Sequence, residues 1–222
     1  MKKSIIAIVV AVLIAVILLA FALQKNNSDV ESQNFESVVA EFKSAQIGVT
    51  VDNWLKIIEI DEYYGRLAVI AENVSDRDVE YALLTVKTKN KTLTFNVSVL
   101  LRGTKAVLLC NEDVGSNPDE VYTAWQTENK IIFENSPVMN SDKFEINVFD
   151  GSISLRNISG EDMNSDIYIY YKDKKDDLVN GSVTYKLRVD GIKADSQTYI
   201  KAPELNDDNC QIIFTEYDDE KI

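Results

Sequence analysis

The side chains best suited by type to do chemistry are two cysteines, Cys110 and Cys210, a large set of carboxylates, and the tyrosines Tyr168 and Tyr170. No histidine occurs in the 222 residues, so the usual proton shuttle near neutral pH and the commonest zinc ligand are both missing. Ser-His-Asp and Cys-His machinery are therefore excluded for this chain alone. A carboxylate pair could still act as acid and base, but one member would need a raised pKa in a cleft. With 36 acidic residues, nearness in sequence singles out no such pair. The acidic clusters Asp76-Arg77-Asp78, Asp173-Lys-Lys-Asp176-Asp177, Asp207-Asp208 and Asp218-Asp219-Glu220 match no calcium loop, and lysines interrupt the longest. They read as solvated turns, and the expectation is a non-enzyme with no catalytic residue, cofactor or metal site.

Two cysteines are too few for a disulfide scaffold. An exported position would permit a bridge between Cys110 and Cys210; the competing reading is two small buried hydrophobes. In the strand around 167–171, alternation turns Ile167, Ile169 and Tyr171 inward and leaves Tyr168 and Tyr170 on the outer face. Exposed tyrosines on a sheet can stack on sugar rings or anchor a partner protein, which makes this pair the candidate surface for a glycan, small ligand or protein. The alternative is packing under the aliphatic stems of Lys186 and Arg188. Asn-x-Ser/Thr triplets start at Asn26, Asn73, Asn90, Asn96, Asn157 and Asn180. They would accept glycans in a eukaryotic secretory protein, but Asn and Ser also bond their own backbone in turns, and turn chemistry is the preferred reading.

The elements that must position these groups follow from pattern. Met1-Lys-Lys-Ser precedes an apolar run from Ile5 to Leu23 free of Gly, Pro and charge. At about 1.5 Å per residue such a helix spans a bilayer's hydrocarbon core. The expected organisation is a cytoplasmic stub at 1–4, a transmembrane signal-anchor helix at 5–23 and a polar tether at 24–35. The paired lysines hold the N-terminus in the cytoplasm, and a cleaved signal peptide ending at the Ala20-Phe21-Ala22 match is the competing reading. Lys2, Lys3 and Lys25 against Asp29 in the first 29 residues leave 20 basic and 35 acidic residues beyond them. So negative a surface repels phosphate backbones, which argues against nucleic acid as a partner.

From residue 47 onward the hydrophobic period is two: Leu67, Val69 and Ala71; Ala82, Leu84 and Val86; Phe95, Val97, Val99 and Leu101; Ile167, Ile169 and Tyr171; Val183, Tyr185, Leu187 and Val189. The pattern also repeats. Glu72-Asn73-Val74-Ser75 matches Arg156-Asn157-Ile158-Ser159, Leu101 to Ala106 aligns with Val189 to Ala194, and Asp119, Val121, Thr123 and Trp125 fall beside Asp208, Cys210, Ile212 and Phe214. Two modules of about 90 residues are expected, at 36–127 and 128–222, each the size of an antiparallel sandwich.

At the Asn-x-Ser turn, the alternating strand after it and the Gly-x-Lys turn, both halves resemble the immunoglobulin-like FxLYD-type modules of bacterial envelope proteins. The family's strand closing with Tyr-Asp before a turn is carried in the second half as Ile169-Tyr170-Tyr171-Lys172-Asp173, while the first half departs from it with Val86-Lys87-Thr88-Lys89-Asn90. The resemblance covers about 130 residues. It implies an all-β fold of two tandem immunoglobulin-like sandwiches at a bacterial surface, without catalytic residues. The function expected is a membrane-anchored extracytoplasmic structural or interaction protein of the cell envelope, its partners the membrane and an envelope protein.

Overall fold

The computed structural model describes residues 47–87, 92–112, 124–202, 205 and 209–217. The expected stub, anchor helix and tether lie outside the described residues. Among the described residues no helix is long and apolar enough to cross a membrane. The chain is all-β there, with strands β1 (Thr50–Val51), β2 (Leu55–Tyr63), β3 (Arg66–Asn73), β4 (Val79–Lys87), β5 (Thr92–Leu100), β6 (Lys105–Leu109), β7 (Trp125–Ile132), β8 (Phe144–Phe149), β9 (Ser152–Asn157), β10 (Ile167–Lys175), β11 (Leu178–Asn180), β12 (Tyr185–Val189), β13 (Gln197–Lys201) and β14 (Cys210–Tyr217).

Period-two sequence produces these strands because alternate side chains can then share one buried face. In β4 the residues Ala82, Leu84 and Val86 are all wholly buried, and in β3 so are Leu67, Val69 and Ala71. In β5 the alternation runs through Phe95 and Val97 and then breaks. Val99 adopts a left-handed backbone (φ +47°), which hands the next inward position to Leu100, 1% exposed, instead of the expected Leu101. A β-branched residue strains in that conformation, at a cost of about 1–3 kcal/mol.

The strands form three sheets. One has the order β5-β4-β7 and another β13-β9-β8. The third is eight-stranded, β1-β2-β3-β6-β11-β10-β12, with β14 on the other side of β10. Its continuity comes from a parallel pairing of β11 with β6, Val179 opposite Ala106 and Asn180 opposite Val107. The apolar residues gather into two cores. The first takes Trp54, Leu55, Ile57, Phe95, Leu100 and their neighbours; the second takes Phe144, Ile153, Leu155, Ile167, Ile169 and theirs. Val179 belongs to the first core although its strand is the return arm of the β10–β11 hairpin, whose Ile167 and Ile169 lie in the second. Strand β7 pairs with β4 as far as Ile132, so the first group of strands runs past residue 127.

The repeated Asn-x-Ser segments fold into matching units. Asn73 is fully buried; its Nδ2 donates to Arg77 O (2.8 Å) and Leu100 O (2.9 Å), while its Oδ1 accepts from Ser75 N–H and Oγ–H. Asn157, equally buried, donates to Glu161 O (2.7 Å) and Ile192 O (3.3 Å) and accepts from Ser159 N–H and Oγ–H. The carboxylates that follow, Asp78 and Asp162, each receive one backbone N–H, from Arg102 and Ala194. Asn73 N–H donates to Thr104 O and Asn157 N–H to Ser196 O, and Gly103 (φ +70°) and Asp195 (φ +55°) both take the left-handed turn position. Lys193-Ala194-Asp195-Ser196 is therefore the counterpart of Leu101-Arg102-Gly103-Thr104. The alignment of Leu101–Ala106 with Val189–Ala194 corrects by four residues, because backbone bonding rather than the glycine marks equivalence.

Candidate functional site

Tyr168 and Tyr170 stand half-buried on the face of β10 away from Ile167 and Ile169, where alternation puts them. Tyr170 lies flat on Phe214 of β14, with ring centroids 4.1 Å apart and planes 10° from parallel, and its hydroxyl donates to Glu216 Oε2 at 2.6 Å. Lys186 Nζ, from β12, stands 3.9 Å from the centre of the Tyr168 ring and 4.9 Å from that of Tyr170. Burial and the Glu216 contact raise the Tyr170 pKa, and the Tyr170 hydroxyl raises that of Lys186. Arg188 turns to Asp166 and Asp190. The two rings are thus members of a cross-strand cluster of aromatic, cationic and anionic side chains.

Cys110 and Cys210 are both free and buried. The bridge weighed from the sequence does not form, because one thiol packs in the first core and the other in the second. Burial pushes the Cys110 thiol up to about 12 and Cys210 to about 11, so neither is a thiolate nucleophile at neutral pH. Among the described residues no group of three or more cysteine or acidic side chains converges to hold a metal ion.

The most unusual chemistry lies further along the tyrosine face. Lys172 follows Tyr168 and Tyr170 on the same side of β10, where a solvated lysine would be expected, yet it is only 1% exposed. Strand β5 and the segment from Asp176 to Thr184, here called the strap, cover it. Its Nζ donates to Ser98 O (2.6 Å) on β5 and to Asn180 O (3.0 Å) and Val183 O (3.1 Å) on the strap. An ammonium has three donors, and all three are used. Burial pulls the Lys172 pKa down to about 7, with neighbouring Asp173 acting in the opposite direction.

Further bonds bind the strap to the first group of strands. Ser98 N–H donates to Gly181 O (2.8 Å), Gly181 N–H to Val107 O (2.7 Å) and Leu109 N–H to the Ser182 hydroxyl (2.8 Å), while the Ser98 and Thr184 hydroxyls meet at 3.0 Å. Gly181 lies so close to β6 that a Cβ there would stand 2.7 Å from both Ala106 Cβ and Leu108 Cδ2. At the hairpin tips, Lys175 Nζ approaches the Tyr63 and Tyr64 rings to 5.2 and 5.5 Å. Beside Lys172 a cavity of about 110 Å³ is lined by Val99, Thr104, Lys105, Asp177, Val179 and Ile213, among others.

This joint was not legible in the sequence. Nothing in Tyr171-Lys172-Asp173 distinguishes a buried lysine from a solvated one, and the break at Val99 has no local signature. Chemically the site is suited to holding rather than reacting. No N–H of Lys172 is left over for a ligand, and its lone pair, once the proton leaves, faces carbonyl oxygens. Comparison of the chain with protein families, curated proteins and solved structures finds no match.

Proposed function

We propose that this chain is a non-catalytic, membrane-anchored structural and interaction protein of a bacterial cell envelope. Residues 5–23 form the anchor, and two immunoglobulin-like sandwiches in tandem stand outside the membrane as a stiff spacer that presents a docking surface to an envelope protein. The observation that carries this reading is the joint around Lys172. A strand, an apolar side chain and a buried ammonium that reaches Ser98 O are built from one group of strands into the other, which suits a body that holds a distance and an orientation. Paired tandem units joined only by a flexible linker would reorient by default. The lack of histidine and the used-up donors of Lys172 favour a non-catalytic role.

The test is topological. The full-length chain carrying different tags at its two ends is expressed in a bacterial host, and intact cells are treated with external protease and, separately, with a membrane-impermeant cross-linker. The C-terminal tag should be lost from intact cells while the N-terminal tag survives in the membrane fraction, and one envelope protein should recur in the cross-links. A C-terminal tag cleaved only after lysis, or protein recovered in the medium, would defeat the reading.

A further inference from the structure

The chain contains one Asn-Gly dipeptide, Asn180-Gly181, and the fold places it in the strap. Asparagine before glycine loses its side-chain amide most readily, because no Cβ shields the glycine nitrogen as it attacks the side-chain carbonyl carbon. The docked strap closes off that attack. The Gly181 N–H is engaged by Val107 O, and Asn180 Oδ1 is held forward by Ser182 N–H at 2.9 Å. The Asn180 backbone is extended in the parallel ladder, with its carbonyl pinned by Lys172. The approach that protects Asn180 also demands its labile neighbour, since only glycine fits against Ala106 and Leu108.

We infer that Asn180 is a conditional modification site: a docked strap keeps it intact, and a strap that leaves the joint is modified and cannot fully return. The Gly181 nitrogen bonds to Asn180 Cγ, and the side-chain nitrogen departs as ammonia with the proton from Gly181. Water then opens the five-membered imide at one carbonyl or the other, giving aspartate or isoaspartate. Aspartate keeps an oxygen for Ser182 N–H. Isoaspartate adds a methylene to the main chain, so Val179 opposite Ala106 and Gly181 N–H on Val107 O can no longer both be satisfied. Isoaspartate at 180 accumulates with the time a molecule has spent undocked, and a joint so modified stays open.

Full-length protein in detergent is incubated at pH 8.5 and sampled over days by peptide mapping, beside a free peptide of residues 176–186. Asn180 in the protein should be lost roughly 30-fold or more slowly than in the peptide, as a local opening of modest free energy dictates. Val179→Ala, which removes the strap's side chain from the first core, should speed the loss by about tenfold. Isomerisation at Asp150-Gly151, in the turn between β8 and β9, should keep its rate in that variant and serves as the internal clock. If Val179→Ala does not fold, Lys172→Met tests the same release. Loss of Asn180 at the peptide's rate in unaltered protein, or acceleration of Asp150 and Asn180 alike in the variant, would overturn the inference.

Discussion

Replacing Lys172 by methionine should abolish a rise in stability that the unaltered protein shows between pH 6 and 8. The folded pKa of Lys172 lies at about 7 because burial removes water from its ammonium. In the unfolded chain the group titrates at about 10.4. Across pH 7 to 10 the unfolded lysine therefore binds more protons than the folded one, and its contribution to stability climbs with pH. Integrated from pH 6 to 8, that difference comes to about 1.4 kcal/mol. Asp173 neighbours Lys172 on its own strand, and Asp177 in the hairpin turn and Lys105 on β6 line the adjoining cavity; Asp173 opposes the shift, and burial outweighs it. With no histidine in the chain, the side chain usually responsible for titration in this window is missing. Above about pH 8.5 the thiols work the other way. Unfolded cysteines lose protons that Cys110 and Cys210 keep until about 12 and about 11, so the curve should flatten and then fall. Urea titrations at pH 6, 7 and 8 would read the effect as a midpoint rise of roughly 0.7 M at an m-value of about 2 kcal/mol/M. The Lys172→Met curve should be flat across the same range. A flat or falling profile in the unaltered protein would refute the argument, because it would mean that three carbonyl acceptors compensate the ammonium for its lost water.

Three other outcomes follow from the same geometry. Asn73→Ala and Asn157→Ala each strand buried carbonyls in equivalent turns, and each should cost roughly 2–3 kcal/mol in chemical denaturation, the two losses adding in the double variant. Neither thiol should react with a disulfide reagent until the protein unfolds, and a reducing agent should leave the melting temperature unchanged, since no bridge is present to break. Gly181→Ala should destabilise by about 1–3 kcal/mol through its contact with Ala106 and Leu108, and hydrogen exchange should show the loss concentrated in β6 and the strap.

The sequence alone set the all-β class, because a period of two repeated over most of the chain leaves no other way to bury Leu67, Val69, Ala82 and Leu84 in one core and Ile167 and Ile169 in the other. It also determined the pairing of Asn73 with Asn157, since a short Asn-x-Ser turn closes its bonds within a few residues and needs little from elsewhere. Tyr168 and Tyr170 fell on the expected face for the same local reason. What lay beyond reach was whatever depends on partners distant in the chain. A bend at Val99, a lysine satisfied by Ser98, Asn180 and Val183, and a strand of one repeat seated against β6 of the other are set by tertiary contacts alone. The burial of Lys172 is of this kind: alternation specifies the side of a strand on which a residue sits, and only the packing of β5 and the strap decides whether that side meets water.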